Sequence, residues 1–139
     1  MQAIHSIDSV ELLRKVDLAA QAAGRTVDVL VQVDLALEET KFGVPEDTVP
    51  GIFEESERCT AARLVGLMLL PPLAENPEDA RPWFVRLRGI RDRLRDSGVR
   101  PDRLRELSMG MSHDFDVAVE EGATMIRVGT AIFGERAYL

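Results

Sequence analysis

The sequence predicts an α/β fold built on a parallel sheet, and two observations carry that expectation. Short apolar runs rich in β-branched residues, "VDVLVQV" (27–33), "RLVGLMLL" (63–70) and "TMIRVGT" (124–130), alternate with longer segments whose apolar positions repeat at three and four. The runs are apolar on both faces, as strands are when helices cover the sheet. With 139 residues the chain reads as a single domain, 1–139, long enough to bury a core.

Taken in order, "AIHS" (3–6) is assigned as a strand from its place in the alternation. The segment "DSVELLRKVDLAAQAAG" is expected to be a helix, with Asp8 and Glu11 at capping-box spacing and Gly24 as its stop. Its positions Val10, Leu13, Val16, Ala20 and Ala23 form one apolar stripe. After the 27–33 strand, a shorter helix is expected from Pro45 to about Glu57, with proline tolerated in the first turn.

Beyond the 63–70 strand, a helix is placed from near Asp79 to Gly98, because Pro82 is compatible with a first turn but not with a helix interior. Its inward side carries Phe84, Leu87, Ile90, Arg91 and Leu94. "RLRELS" (103–108) is the next strand, "SHDFDVAVEEG" a helix from a Ser112 cap to Gly122 with Phe115, Ala118 and Val119 inward, and a short helix is expected after Thr130. The order β-α-β-α-β-α-β-α-β implies right-handed crossovers but leaves an open doubly wound sheet and part of a barrel as alternatives.

The composition excludes several function classes. A formal charge of −7 argues against general nucleic-acid or membrane-surface binding. The apolar run "LVGLMLLPPLA" is too short for a bilayer. The single cysteine, Cys59, cannot form an internal disulfide, and the N-terminal residues lack a secretory pattern, so a cytoplasmic location is expected. His5 and His113 are far apart, and no Cys/His cluster has metal-ligand spacing. Fifteen arginines accompany only two lysines, Lys15 and Lys41, so amine nucleophiles are scarce.

In parallel α/β folds, functional groups gather where strands end. Those junctions are His5-Ser6, Asp34–Lys41, Leu69–Pro72, Ser108–Ser112 and Arg127–Thr130. In "LSMGMS", Gly110 permits a tight turn and Ser112 heads the next helix; this is either an anion site or an ordinary serine cap. In "RVGT", Gly129 allows close backbone approach and Thr130 offers an N–H and a hydroxyl. Together the two junctions form a candidate phosphate clamp. Arg127, alternating with Ile126 and Val128, shares a face with Met125, and its guanidinium needs either a ligand atom or a carboxylate such as Asp34.

"LSMGMSHDFDVAVEEGATMIRVGTAIFGER", with "IHSIDS", "VLVQVDLALEETKFGV" and "GLMLLPP" upstream, closely resembles the pyridoxal phosphate homeostasis protein family. The resemblance covers essentially the whole chain. It implies a (β/α)₈ TIM barrel like the N-terminal domain of alanine racemase, of which this chain matches about the last five βα units and not the first three strands. It also implies pyridoxal 5′-phosphate (PLP) as cofactor, with Arg127 at the pyridine nitrogen and Ser112, Gly129 and Thr130 at the phosphate.

An arginine at that nitrogen would keep it unprotonated and weaken the electron sink that PLP enzymes use. The implied function is therefore a cofactor carrier or reservoir in PLP homeostasis, with no catalytic residue and no metal. Asp34 stands where the family usually has asparagine. Neither Lys15 nor Lys41 matches the family lysine that links the cofactor, so noncovalent binding or none is expected. Two open sheet edges are expected, favouring self-association or a complementing partner. A racemase-like enzyme of amino acids and an interaction subunit without cofactor remain as alternatives.

Overall fold

The computed structural model describes residues 4–34, 44–69, 76–110, 114–127 and 136–138. The strands are β1 (Ile4–Ile7), β2 (Val27–Val33), β3 (Ala62–Leu69), β4 (Glu106–Ser108), β5 (Met125–Arg127) and β6 (Arg136–Tyr138). The helices are α1 (Val10–Ala23), α2 (Val49–Ser56), α3 (Arg81–Asp96) and α4 (Phe115–Glu120), and short 3₁₀ turns precede α2, α3 and β4.

β1 to β5 lie side by side in sequence order and all four pairings are parallel. The order never reverses, as it must in a doubly wound sheet. One large core cluster joins Val29, Val31 and Val33 of β2 to Leu13 of α1, Ile52 of α2, Phe84 of α3 and Ala118 of α4. All four helices therefore cover the same face of the sheet. That one-sided layering is the wall of a (β/α) barrel, which decides between the two architectures left open by the alternation.

The opposite, inner face carries its own buried cluster of Leu30, Val65, Met68 and Met125. A register shift between Val29 and Leu30 of β2 gives β3 one extra residue. Before the shift Ala62 and Leu64 face the helices; after it Leu67 and Leu69 do, while Val65 and Met68 belong to the inner cluster. Gly66 sits at this irregularity. A Cβ there would stand 1.9 Å from the Glu106 carbonyl oxygen of β4. Only glycine lets the two strands approach so closely.

Several local expectations need correction. α1 is capped by Ser9, whose hydroxyl accepts from the Leu12 backbone N–H at 3.0 Å, one residue after the expected Asp8. Gly24 does close the helix in the left-handed region, at φ 67°. Ala23 is exposed, whereas Asp17 on the same helix is buried. α4 begins at Phe115 with Asp114 as the flanking residue, and Ser112, the expected cap, lies outside the described residues. Phe115 and Val119 point outward, and Val117 with Ala118 fills the interface instead. The short helix expected after Thr130 falls on residues outside those described, and the segment that follows them is β6, antiparallel to β5. β6 thus covers an edge expected to be open.

The arginine-rich α3 is laced to carboxylates. Arg93 reaches Glu46 at 2.7 Å, Arg88 reaches Glu121 at 2.9 Å, and Arg86 lies over the Trp83 ring. Arg81, at the start of α3, joins Glu78, Glu120 and Glu121, which ties α3 to the end of α4.

Asp17 anchors α1 to the strand at the centre of the sheet. Its Oδ1 accepts from the backbone N–H groups of Thr60, Ala61 and Ala62 at 3.1, 2.7 and 2.8 Å, and its Oδ2 accepts from Gln21 at 2.9 Å. Burial opposes ionisation, but the N–H donors of Ala62, Ala61 and Thr60 with the Gln21 amide outweigh it, holding the carboxyl below its ordinary range. A depressed folded-state pKa means that its contribution is present above about pH 4 and is lost as pH falls through the folded value. Asp17→Ala, which strands three backbone donors, is expected to lower unfolding free energy by about 1–3 kcal/mol. Urea titrations should show the difference between wild type and variant at pH 7 narrowing towards pH 3; an unchanged gap would contradict this role.

Candidate functional site

The inner face offers one continuous row. Gln32 pairs with Met68, Met68 with Ser108, and Ser108 with Met125. Gln32, Met68, Ser108 and Met125 are each buried. The other faces of β3 and β4 pack on the helix layer through Leu67, Leu69 and Leu107, so Met68 and Ser108 are fixed from behind by the main core.

Ser108 is the exception in this wall. It is 1% exposed, and its Oγ has no hydrogen-bond partner. Buried hydroxyls are normally paired, and an unpaired one costs about 1–3 kcal/mol. Its place in the row was not singled out from sequence. The available signal was a lone serine within "ELSMGM", at an inward position between apolar neighbours.

β4 and β5, the strands that lead into the two predicted junctions, pair with each other. Leu107 N–H donates to Thr124 Oγ1 at 2.8 Å, and Thr124 N–H donates back to the Leu107 carbonyl at 3.0 Å. Beyond them Met109 N–H donates to the Met125 carbonyl at 3.1 Å. The end of β4, followed by Gly110 at φ 95°, is therefore held against β5 at Met125. That positive φ is the tight turn for which the glycine was predicted. Of the candidate residues, Arg127 is the last position of β5. Ser112, Gly129, Thr130, His113 and Lys41 lie outside the described residues.

The other candidates are scattered. Asp34 ends β2, where its backbone N–H donates to Val44 at 2.8 Å, and it lines an outer groove with Glu46, Arg86 and Arg93. Lys15 is exposed on α1, and His5 occupies the β1 position opposite Val29. Cys59 lies at the other end of β3, where burial above all, with the Asp17 and Glu55 carboxylates, pushes its thiol pKa up. That is the reverse of an activated nucleophile. Among the described residues no group of three His, Cys, Asp or Glu could hold a metal ion, and no helix is long and apolar enough to cross a membrane.

Residues 1–137 match the N-terminal domain of alanine racemase. The chain belongs to that family. Within it, this alanine racemase N-terminal domain chain is 46% identical over 136 residues to the pyridoxal phosphate homeostasis protein of Aquifex aeolicus, covering 97% of this chain and 58% of that protein. Identity to the human protein of the same name is 37% over 140 residues, covering 97% of this chain and 50% of the relative. The solved structure of PipY from Synechococcus elongatus with PLP bound matches with a TM-score of 0.80 at 34% identity, over 94% of this chain and 59% of that one. The chain thus spans little more than half the length of the curated relatives it matches.

The inner row suits a flat, largely apolar ligand with a polar group: thioethers from Met68 and Met125 supply polarisable contact, and the Ser108 hydroxyl supplies an unused donor. Thr124→Val removes the acceptor for Leu107 N–H. A loss of about 1–3 kcal/mol is expected, with faster amide exchange at Leu107 and Met109 than elsewhere in the sheet. Uniform exchange across all strands would contradict that assignment.

Proposed function

We propose that the chain binds pyridoxal 5′-phosphate noncovalently and serves PLP homeostasis as a carrier or reservoir. The observation that supports this reading is the pairing of β4 with β5, which holds Ser108 and Met109 against Met125 at one end of an inner face lined by Met68, Ser108 and Met125. Identity of 46% to a pyridoxal phosphate homeostasis protein supports the same ligand.

In this reading Ser112, Gly129 and Thr130 hold the phosphate with hydroxyls and backbone N–H groups, the chemistry of a turn entering a helix or loop. Arg127 stands at the ring nitrogen. When bound, the cofactor supplies an electron-poor ring to chemistry at its aldehyde carbon. Arg127 offers that nitrogen a donor that stays protonated, so the nitrogen itself gains no proton and the ring is a weaker electron sink. Storage and delivery fit that electronic setting better than turnover, and no catalytic residue is assigned.

PLP titration followed by absorbance, then borohydride reduction and mass mapping, tests the reading. Saturable binding without a reduced adduct is expected, weakened at least about tenfold in Arg127→Ala and in Thr130→Ala, a loss typical of a charge-assisted hydrogen bond. A reduced adduct at Lys41 would instead favour the racemase-like enzyme. Absence of binding would leave the interaction subunit.

The proposal extends to assembly. Among the described residues β1 pairs on one side only, with β2, and an unpaired parallel edge favours association with another strand. Light scattering coupled to size exclusion is expected to give a mass above the 15.4 kDa of one chain, shifting down when proline replaces Ser6. A monomer at all concentrations would count against it.

A further inference from the structure

We infer that Ser108 is the hydrogen-bonding floor of the ligand chamber, its Oγ–H donating to the bound ring, directly or through one trapped water. The inference rests on the proposed PLP reading and assigns a role within that site to a residue beyond the clamp of Ser112, Arg127, Gly129 and Thr130.

Two observations converge on it. The hydroxyl is buried and, among the described residues, its oxygen has no hydrogen-bond partner. Its position is fixed by pairing on both sides, with Met68 across β3 and Met125 across β5, so it cannot swing towards the helix layer without breaking register.

Chemistry narrows the role. Neither thioether beside Ser108 is more than a weak acceptor, and Leu30 and Val65 complete an apolar surround. A serine left unpaired in such a setting destabilises the unliganded fold, and alanine there would fill nearly the same volume without the penalty. A polar group brought in by a ligand removes that penalty. The same hydroxyl also discriminates: a ring presenting only carbon at this depth would leave it unpaired, whereas one presenting a ring oxygen or nitrogen would not.

The experiment compares wild type and Ser108→Ala over the full chain, measuring the dissociation constant for PLP by absorbance titration and the melting temperature without ligand. The expected result is an unliganded melting temperature equal to or above wild type together with about 3- to 10-fold weaker PLP binding, the loss of one net hydrogen bond. If Ser108→Ala does not fold, Ser108→Cys, which keeps the volume and weakens the donor, is measured in its place with the same expectation. Wild type that binds PLP and a variant that binds it equally well would overturn this inference alone. Weaker binding accompanied by a lowered unliganded melting temperature would also overturn it, by assigning the effect to packing. Wild type that fails to bind PLP saturably removes both this inference and the reading beneath it.

Discussion

The close approach of β3 to β4 at Gly66 is the constraint on which the rest of the inner face depends. The Glu106 carbonyl occupies the space where any side chain at position 66 would have to go. The extra residue in β3 at this point exchanges the faces of everything downstream, turning Met68 inward and Leu67 and Leu69 towards the helices. A strand's side-chain period of two admits no intermediate, so a single inserted residue is enough. Ser108 then follows Met68 by register, and Met125 follows Ser108. The buried row of Met68, Ser108 and Met125 is thus aligned through the irregularity at Gly66.

Asp17 plays the corresponding part on the outer side. A helix packed on a sheet by apolar contacts alone can slide, because burial is not directional. Three backbone donors converging on one carboxylate oxygen fix α1 against the entrance of β3 to within hydrogen-bond tolerance. Thr60 and Ala61 precede β3 and Ala62 opens it, so the carboxylate supplies acceptors at the strand's entrance. The irregularity at Gly66 is therefore approached from a start point that is itself held in place.

Much of this architecture was legible from residue patterns, and the exceptions share a cause. β2 occupies the residues its apolar run predicts, and α3 begins where Pro82 requires, because both signals are local. The cap of α1 at Ser9 rather than Asp8 turns on one residue of backbone geometry, which two adjacent cap-forming side chains cannot resolve. α4 is six residues long, too short for a stripe to declare itself, so Phe115 and Val119 read as core and are solvent-facing. The face exchange in β3 and the antiparallel return of β6 depend on neighbouring strands distant in sequence. The candidate phosphate ligands rest on turn chemistry and resemblance, and the β4–β5 pairing that precedes their segments joins strands distant in sequence.

The two kinds of buried polar group in this chain separate scaffold from site. Asp17 has donors on both of its oxygens, as a structural carboxylate must if ionisation is to survive burial. Ser108 is just as buried and has none. A polar atom left unpaired in the folded state raises that state's free energy, and selection for stability alone would replace it with a methyl group. Ligand binding to the folded chain offsets that cost by mass action, more so as ligand concentration exceeds the dissociation constant. For a protein whose proposed task is to take up and release a cofactor, the penalty has a use: it makes the empty state less stable than the fold permits and ties stability to occupancy. Tighter packing at Ser108 would strengthen the scaffold and weaken that coupling.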